Sequence, residues 1–281
     1  MGRSVSAIVG VVKFSGARAF PEEIRPLFLR RVVGGGRPRI SCVGPAAFGV
    51  LDGAPGPSRD SQNVRLSEDP RVLSVVDGRL DNRHILAREL GAKAGVNAAS
   101  PESAFVAAAF ERWGTTFASY LLGDFAVAVW DIASGDLLLS RDAIGVRPLY
   151  YACRPKRWLV FGTDIRSVLK YGNEERANDV VMIARYLDLS YVYERERTFF
   201  DGVRRVPQGT TLVFDGHGEL KSRTGHWKPD LDIRPGVKDG AEYREEFKRL
   251  LSEAVASGMT GSRDRIAACV SGGLDSSAVA S

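Results

Sequence analysis

The stretch Gly123-Asp124-Phe125-Ala126-Val127-Ala128-Val129-Trp130-Asp131 decides the fold. Within it Phe125, Val127 and Val129 alternate with smaller residues, which is the period of a strand that buries one face. Other apolar runs with Gly, Pro, Asn or Asp near their ends predict strands in the same way. These lie at 7–14, 48–52, 72–80, 136–141, 149–154, 158–163 and 209–215. The first two thirds of the chain are therefore predicted to be rich in strands.

Helical patterns fall between the strands. One is predicted over 82–90, and another begins at Ser100 as the cap with Pro101 in the first turn. A third is predicted over 179–189. Groups of strands alternating with helices favour an α+β domain with antiparallel sheets in layers.

Composition and charge exclude several classes of protein. The chain has 281 residues, of which 44% are apolar and 26% charged, and a net charge of +5. No dense basic run predicts a nucleic-acid partner. The apolar stretch 125–130 is far shorter than the ~20 residues that span a bilayer, so no membrane partner is predicted. Cys42, Cys153 and Cys269 form no CxxC pair, and their odd number favours a reducing, cytoplasmic location.

The chain is predicted to divide near Trp227. Residues 1–227 form the first domain, and the polar, proline-bearing segment 228–238 reads as a linker. Asp239, with Glu242 three residues later, predicts the start of a helix that continues to about Ser257. The second domain, 239–281, then has a predicted short strand at 265–270.

A glycine turn and the start of a helix follow that strand, in the run Ser271-Gly272-Gly273-Leu274-Asp275-Ser276-Ser277. Backbone N–H groups converge on an anion in this geometry, and glycines let a phosphate approach the backbone. A carboxylate such as Asp275 is compatible with phosphates if Mg²⁺ lies between them. The run predicts a site for a nucleotide and its metal; the alternative is an ordinary turn after a buried strand.

This run resembles the PP-loop, SGGxDS, of the ATP pyrophosphatases. The resemblance implies ATP and Mg as cofactors, with Asp275 binding the metal. It also implies that a substrate carboxylate attacks the α-phosphate, forming an acyl-adenylate, and that an amine then displaces AMP. The implied ATP- and pyrophosphate-binding residues are Val270, Ser271, Gly272, Gly273, Leu274, Asp275, Ser276 and Ser277.

Four earlier motifs resemble class-II glutamine amidotransferases. Residues 76–82 resemble "NGEIYN", 123–131 "GxFAFAxxD", 141–151 "RDxxGxxPLYY" and 162–168 "ASExKAL". Together they make the chain similar to the front half of an asparagine synthetase-family protein. The implied fold is an N-terminal nucleophile-type αββα sandwich with two antiparallel sheets, followed by the truncated start of an α/β PP-loop domain. An architectural reading is also open, in which Arg141 and Asp142 form a buried ion pair beside a turn at Gly145.

The chain departs from this family where glutamine would be bound and cleaved. Ser6 stands at the position of the nucleophilic cysteine, with five residues before it. The motif Asn and Glu are replaced by Asp77 and Arg79 around Gly78, so the group that reads the amide and the acid that pairs with the ligand's ammonium are both changed. The family's "GSD" Asp has no clear counterpart; Glu102 lies nearby, and the alternative is that Glu102 is an acid favoured by the helix dipole in the first turn. We therefore expect a degenerate glutamine pocket, no catalytic residue and no glutaminase activity.

The resemblance to this family then implies an amide-forming ligase whose nitrogen comes from an amine within the substrate, as in the relatives that close rings, lasso-peptide macrolactam cyclases and β-lactam synthetases. The runs 77–83, 108–114 and 199–209 resemble the lasso cyclases most. The alternative is an asparagine synthetase that uses glutamine or free ammonia. The expected substrate is a small-molecule or peptide carboxylate, and candidate partners are a precursor peptide or a separate synthetase subunit. Since most of the synthetase domain is expected to be missing, the 281 residues alone are not expected to adenylate a substrate.

A third possibility is a non-catalytic docking module, with Tyr191, Tyr193 and Phe199 as exposed aromatic residues. The spacing of His84, His217 and His226 lacks a metal-ligand pattern.

Overall fold

The computed structural model describes residues 7–28, 37–51, 64–66, 71–91, 94–97, 99–171, 177–189, 194–231, 239–259 and 268–280. The chain forms two compact units, Met1–Lys228 and Pro229–Ser281. Each unit is described separately below.

Two six-stranded antiparallel sheets build the first unit. The first sheet has the order β10-β8-β9-β1-β3-β2. Its strands are β1 (Ala7–Lys13), β2 (Arg39–Val43), β3 (Ala46–Leu51), β8 (Tyr150–Arg154), β9 (Trp158–Gly162) and β10 (Arg204–Arg205). The second sheet has the order β12-β11-β7-β6-β5-β4. Its strands are β4 (Val64–Leu66), β5 (Val72–Leu80), β6 (Gly123–Asp131), β7 (Asp136–Arg141), β11 (Thr210–Phe214) and β12 (Leu220–Gly225).

Helices cover the outer face of each sheet. Helices α2 (Arg83–Leu90) and α3 (Glu102–Trp113) pack on the second sheet around Phe105 and Phe117. Helices α1 (Pro21–Ile24) and α4 (Ile165–Lys170) pack on the first sheet.

A third apolar core, which includes Phe48 and Phe161 in edge-to-face contact, fills the space between the sheets. The two sheets and two helical layers confirm the predicted αββα sandwich of the α+β class.

Most predicted elements of the first unit are present, with ends shifted by one or two residues. The strands β2, β4, β10 and β12 were not predicted. β12 is exposed along its whole length and β10 has only two residues, so neither shows an apolar period.

The third predicted helix is α5 (Val180–Leu189). The predicted cap Ser100 is wrong: α3 starts after Pro101, and the Ser100 hydroxyl accepts a hydrogen bond from the Asn97 N–H instead.

The second unit contains helices α6 (Gly240–Met259) and α7 (Leu274–Ala280). Asp239 caps α6 as predicted, because its carboxylate accepts hydrogen bonds from the N–H groups of Ala241 and Glu242 at 2.7 and 2.8 Å. Of the predicted strand, residues 268–270 show no strand and residues 265–267 lie outside the described part of the chain. Among the described helices, none is long and apolar enough to cross a membrane.

Candidate functional site

The end of β5 carries Asp77, Gly78 and Arg79, three of the predicted pocket residues. Gly78 has φ +141°, and a Cβ there would lie 2.0 Å from the Asp124 carbonyl oxygen. Only glycine fits this position, because the obstructing atom belongs to the backbone of the neighbouring strand. The glycine lets β5 and β6 approach closely where the pocket residues lie.

Asp77 is buried and faces the core between the sheets. Its neighbours Leu73 and Val75, which share its side of the strand, belong to that core. Arg147 neutralises it, with 3.3 Å between Arg147 Nη1 and Asp77 Oδ1. The Arg147 side chain is one third exposed, whereas that of Asp77 is 3% exposed. A buried carboxylate is thus held by an arginine that reaches in from the surface.

Arg79 lies between two carboxylates. Its Nε donates to Asp81 Oδ1 at 2.8 Å, and its Nη1 lies 3.1 Å from Asp124 Oδ2. The hydrogen bond to Asp81 raises the pKa of Arg79, burial lowers it, and the charges of Asp81 and Asp124 raise it again, with a net increase. Both oxygen partners come from this chain, so the guanidinium charge is compensated internally.

Glu102 is the first residue of α3 and belongs to the helical layer over the second sheet. It is buried, and its carboxylate pairs with Arg83 at the start of α2. Arg83 also donates to the Ser100 carbonyl oxygen and lies over the Phe105 ring, 5.1 Å from Cζ to the ring centre. Sequence reasoning missed the roles of Arg83 and Arg147, because Arg147 stands at an unspecified position of the 141–151 motif and Arg83 directly follows the 76–82 motif.

The loop after β7 holds Arg147 in position. The Asp142 carboxylate accepts hydrogen bonds from the N–H groups of Gly145, Val146 and Arg147 at 2.6, 2.8 and 2.9 Å. Arg141 donates to the carbonyl oxygens of Gly145, Arg147 and Val206. The predicted turn is present, but the predicted Arg141–Asp142 ion pair is wrong. Instead of pairing with each other, Arg141 donates to backbone carbonyl oxygens and Asp142 accepts from backbone N–H groups, which satisfies polar groups of the turn that would otherwise lack partners.

His226 lies at one end of a chain of polar contacts beside β7. Its Nε2 lies 3.0 Å from the Arg141 carbonyl oxygen and 3.4 Å from Ser140 Oγ, and Ser140 Oγ lies 2.9 Å from Thr211 Oγ1. Burial lowers the pKa of His226, opposed by the hydrogen bond to Arg141 and the charge of Asp142. These contacts give His226 a structural role. Among the described residues, no group of three His, Cys, Asp or Glu side chains is placed to hold a metal.

The serine and glycine run of the second unit forms a turn before α7. Gly272 has φ +82° and open space where a Cβ would lie. Ser276 Oγ accepts from the Ser271 N–H and lies 3.1 Å from Ser271 Oγ, whose oxygen in turn accepts from the Gly273 N–H at 3.4 Å. Asp275 is exposed. The loop thus presents two hydroxyls on one side of a tight turn and a carboxylate in the first turn of the helix.

Some predicted residues lie outside the described part of the chain. Ser6 is one of them, as are Tyr191 and Tyr193. Phe199 is described, and its ring packs edge-on against Tyr186 with 5.5 Å between centroids.

A comparison with known protein families identifies the family of the first unit. Residues 57–226 match the family described as "Glutamine amidotransferase domain". The chain belongs to this family. The matched span contains β5, α3, the 141–151 loop and His226, so it includes every contact of Asp77, Arg79 and Glu102 described above.

Curated relatives of this glutamine amidotransferase domain include "Amidase chyE" of Penicillium rubens, 31% identical over 218 residues. The match covers 76% of this chain and 31% of the relative. "Asparagine synthetase (glutamine-hydrolyzing) 2" of Bacillus subtilis is 23% identical over 232 residues, covering 79% of this chain and 30% of the relative. These matches confirm the predicted asparagine synthetase family. The chain spans about a third of the length of these relatives.

A solved structure, glutamine phosphoribosylpyrophosphate amidotransferase from B. subtilis complexed with ADP and GMP, aligns over 82% of this chain and 44% of its own. The TM-score is 0.46 and the sequence identity 15%.

Proposed function

We propose that this glutamine amidotransferase domain belongs to an ATP-dependent amide-forming ligase that has lost its glutaminase activity. The ligase activates a carboxylate as an acyl-adenylate with release of pyrophosphate. An amine within the substrate, as in lasso-peptide macrolactam cyclases, then attacks the acyl carbon and AMP leaves. The observation that carries the proposal is the run Ser271–Ser277, in which glycines, hydroxyls and one carboxylate meet at a turn before a helix.

The residues of this run fit a nucleoside triphosphate and its metal. Gly272 has open space beside its backbone, so a phosphate oxygen can approach the N–H groups there. Hydroxyls of Ser271 and Ser276 supply donors, and Asp275 supplies the hard oxygen ligand that Mg²⁺ prefers. Bound Mg²⁺ would neutralise charge on the departing pyrophosphate.

The loss of glutaminase is supported by the pairing of the charged pocket residues. A free amino acid is recognised through its ammonium and carboxylate groups, which need protein charges of opposite sign that are open to a ligand. Asp77, Arg79 and Glu102 each have a partner of opposite charge within the chain. We propose that this domain stays as a scaffold for the ligase.

The test uses the gene product read to its stop codon, incubated with ATP, Mg²⁺ and candidate peptide or small-molecule substrates. We expect AMP and pyrophosphate as products, no glutamate released from glutamine, and loss of AMP formation in Asp275→Asn. Asp188→Asn, an exposed change on α5, is the control and should keep activity. Formation of ADP, or an unchanged rate in Asp275→Asn, would contradict the proposal.

A second candidate is an asparagine synthetase, favoured by the names of several relatives. The same assay separates the two candidates when aspartate is supplied with either glutamine or ammonium chloride. Asparagine formed from both nitrogen sources supports a working synthetase with glutaminase. Asparagine formed from ammonia alone supports a synthetase whose glutaminase is lost. If neither nitrogen source yields asparagine, the result favours the first candidate, in which the nitrogen comes from an amine within the substrate.

A further inference from the structure

The groups around Arg83 form a cage for a cation. The cage consists of the Glu102 carboxylate, the Ser100 carbonyl oxygen and the face of the Phe105 ring. A carboxylate, a carbonyl dipole and an aromatic face each attract positive charge. The Arg83 and Glu102 side chains are only 14% and 6% exposed, so the attraction acts with little screening by water.

Glu102 has acceptor capacity beyond its contact with Arg83. Its Oε2 is buried and has no hydrogen-bond partner among the described residues. Buried carboxylate oxygens are normally hydrogen-bonded, so this oxygen marks a place where a donor is favoured. The carboxylate is therefore suited to a cation with more than one donor.

The position of Arg83 on its helix supports this reading. Arg83 is the first residue of α2, where the positive end of the helix dipole disfavours a cation. Glu102 is the first residue of α3, where an acid is favoured. An arginine at this position does not stabilise α2 itself, but its contacts with the cage explain why it is there.

We infer that the Glu102 cage is a site for guanidinium or primary ammonium groups and that Arg83 is its resident cation. The inference rests on the proposed loss of glutaminase, since an occupied cage excludes the ammonium of a free amino acid. Arg83 acts as a positioning residue that joins the starts of α2 and α3.

The test replaces the resident cation with a soluble one. Arg83→Ala should lower Tm by roughly 6–20 °C, because a buried carboxylate is left without its partner. Low millimolar guanidinium chloride or methylguanidinium chloride should restore part of this loss in a saturable way, and equal sodium chloride should not. Arg88→Ala, an exposed change near the end of the same helix, is the control and should show neither effect.

A second variant keeps the test decisive if Arg83→Ala folds poorly. Arg83→Ala with Glu102→Gln should be more stable than Arg83→Ala alone and should not respond to guanidinium. If the double variant is no more stable, or if guanidinium stabilises both equally, the inference is wrong. Glutamate release by the unaltered protein would instead contradict the proposed loss of glutaminase. The guanidinium experiment on Arg83→Ala would still test the Glu102 cage independently.

Discussion

Replacing Asp142 tests whether one carboxylate organises the loop that carries Arg147. The side chain is fully buried, and its two oxygens accept hydrogen bonds from three consecutive N–H groups at 2.6 to 2.9 Å. A hydrogen bond to a charged group contributes about 1.5–3 kcal/mol. The loss is smaller than three such bonds because Val146 is half exposed and water can reach its N–H, and because Gly145 N–H keeps the Asp142 carbonyl oxygen at 3.2 Å. We expect Asp142→Ala to lower the free energy of unfolding by about 3–5 kcal/mol.

Urea denaturation followed by fluorescence and circular dichroism measures this change, and thermal unfolding should show a Tm lower by roughly 6–20 °C. Asp142→Asn keeps one carbonyl oxygen and should fall between the two proteins. Asp188→Ala, which removes an exposed carboxylate from α5, should stay within about 0.5 kcal/mol of the unaltered protein. A loss below about 1 kcal/mol in Asp142→Ala would refute the argument that the carboxylate holds the loop.

Three other predictions concern single residues. Gly78→Ala should destabilise by at least about 3 kcal/mol in urea, since its Cβ meets a backbone oxygen, whereas Gly91→Ala, with positive φ but open space, should lose only about 1 kcal/mol. Burial raises the pKa of Cys153 to about 12, so iodoacetamide at pH 8 should label exposed Cys269 first, as peptide mass mapping will show; equal labelling would contradict this. Because the pKa of His226 is lowered in the folded state, its neutral form contributes stability above its ordinary pKa of 6.5, and that contribution is lost as the pH falls below this value. His226→Gln should flatten the fall in urea midpoint between pH 7 and pH 5, and an unchanged slope would count against this role.

The sequence predicted the layers of the fold because its buried strands have a strong period. Phe125, Val127 and Val129 belong to one core of the finished sandwich, on one face of β6. The exposed strand β12 has no such period, since its stability comes from hydrogen bonds to β11 rather than from apolar burial. Strand pairing of this kind is a property of the assembled sheet, so a local pattern does not reveal it.

The candidate site was only half predictable for a related reason. Asp77 and Arg79 were found from a motif and Glu102 from its place at the start of a predicted helix, yet their pairing depends on residues that the motifs do not mark. Arg147 lies seventy positions after Asp77 along the chain, and the folded loop brings the two side chains to within 3.3 Å of each other. Residue types predict which charges are present, whereas partners that are distant in sequence determine which of them stay open to a ligand.

The proposed loss of glutaminase predicts that the internal partner of Glu102 opposes glutamine binding. A ligand ammonium that takes the place of Arg83 at Glu102 must break a buried pair, which costs about 3–5 kcal/mol. A single new ammonium–carboxylate contact restores at most a similar amount, while the ligand also loses translational and rotational freedom. The exchange is therefore unfavourable unless other contacts contribute. On the proposed loss of glutaminase, we therefore expect a domain that keeps the sandwich of a glutamine amidotransferase but does not exchange Arg83 for a ligand ammonium at Glu102.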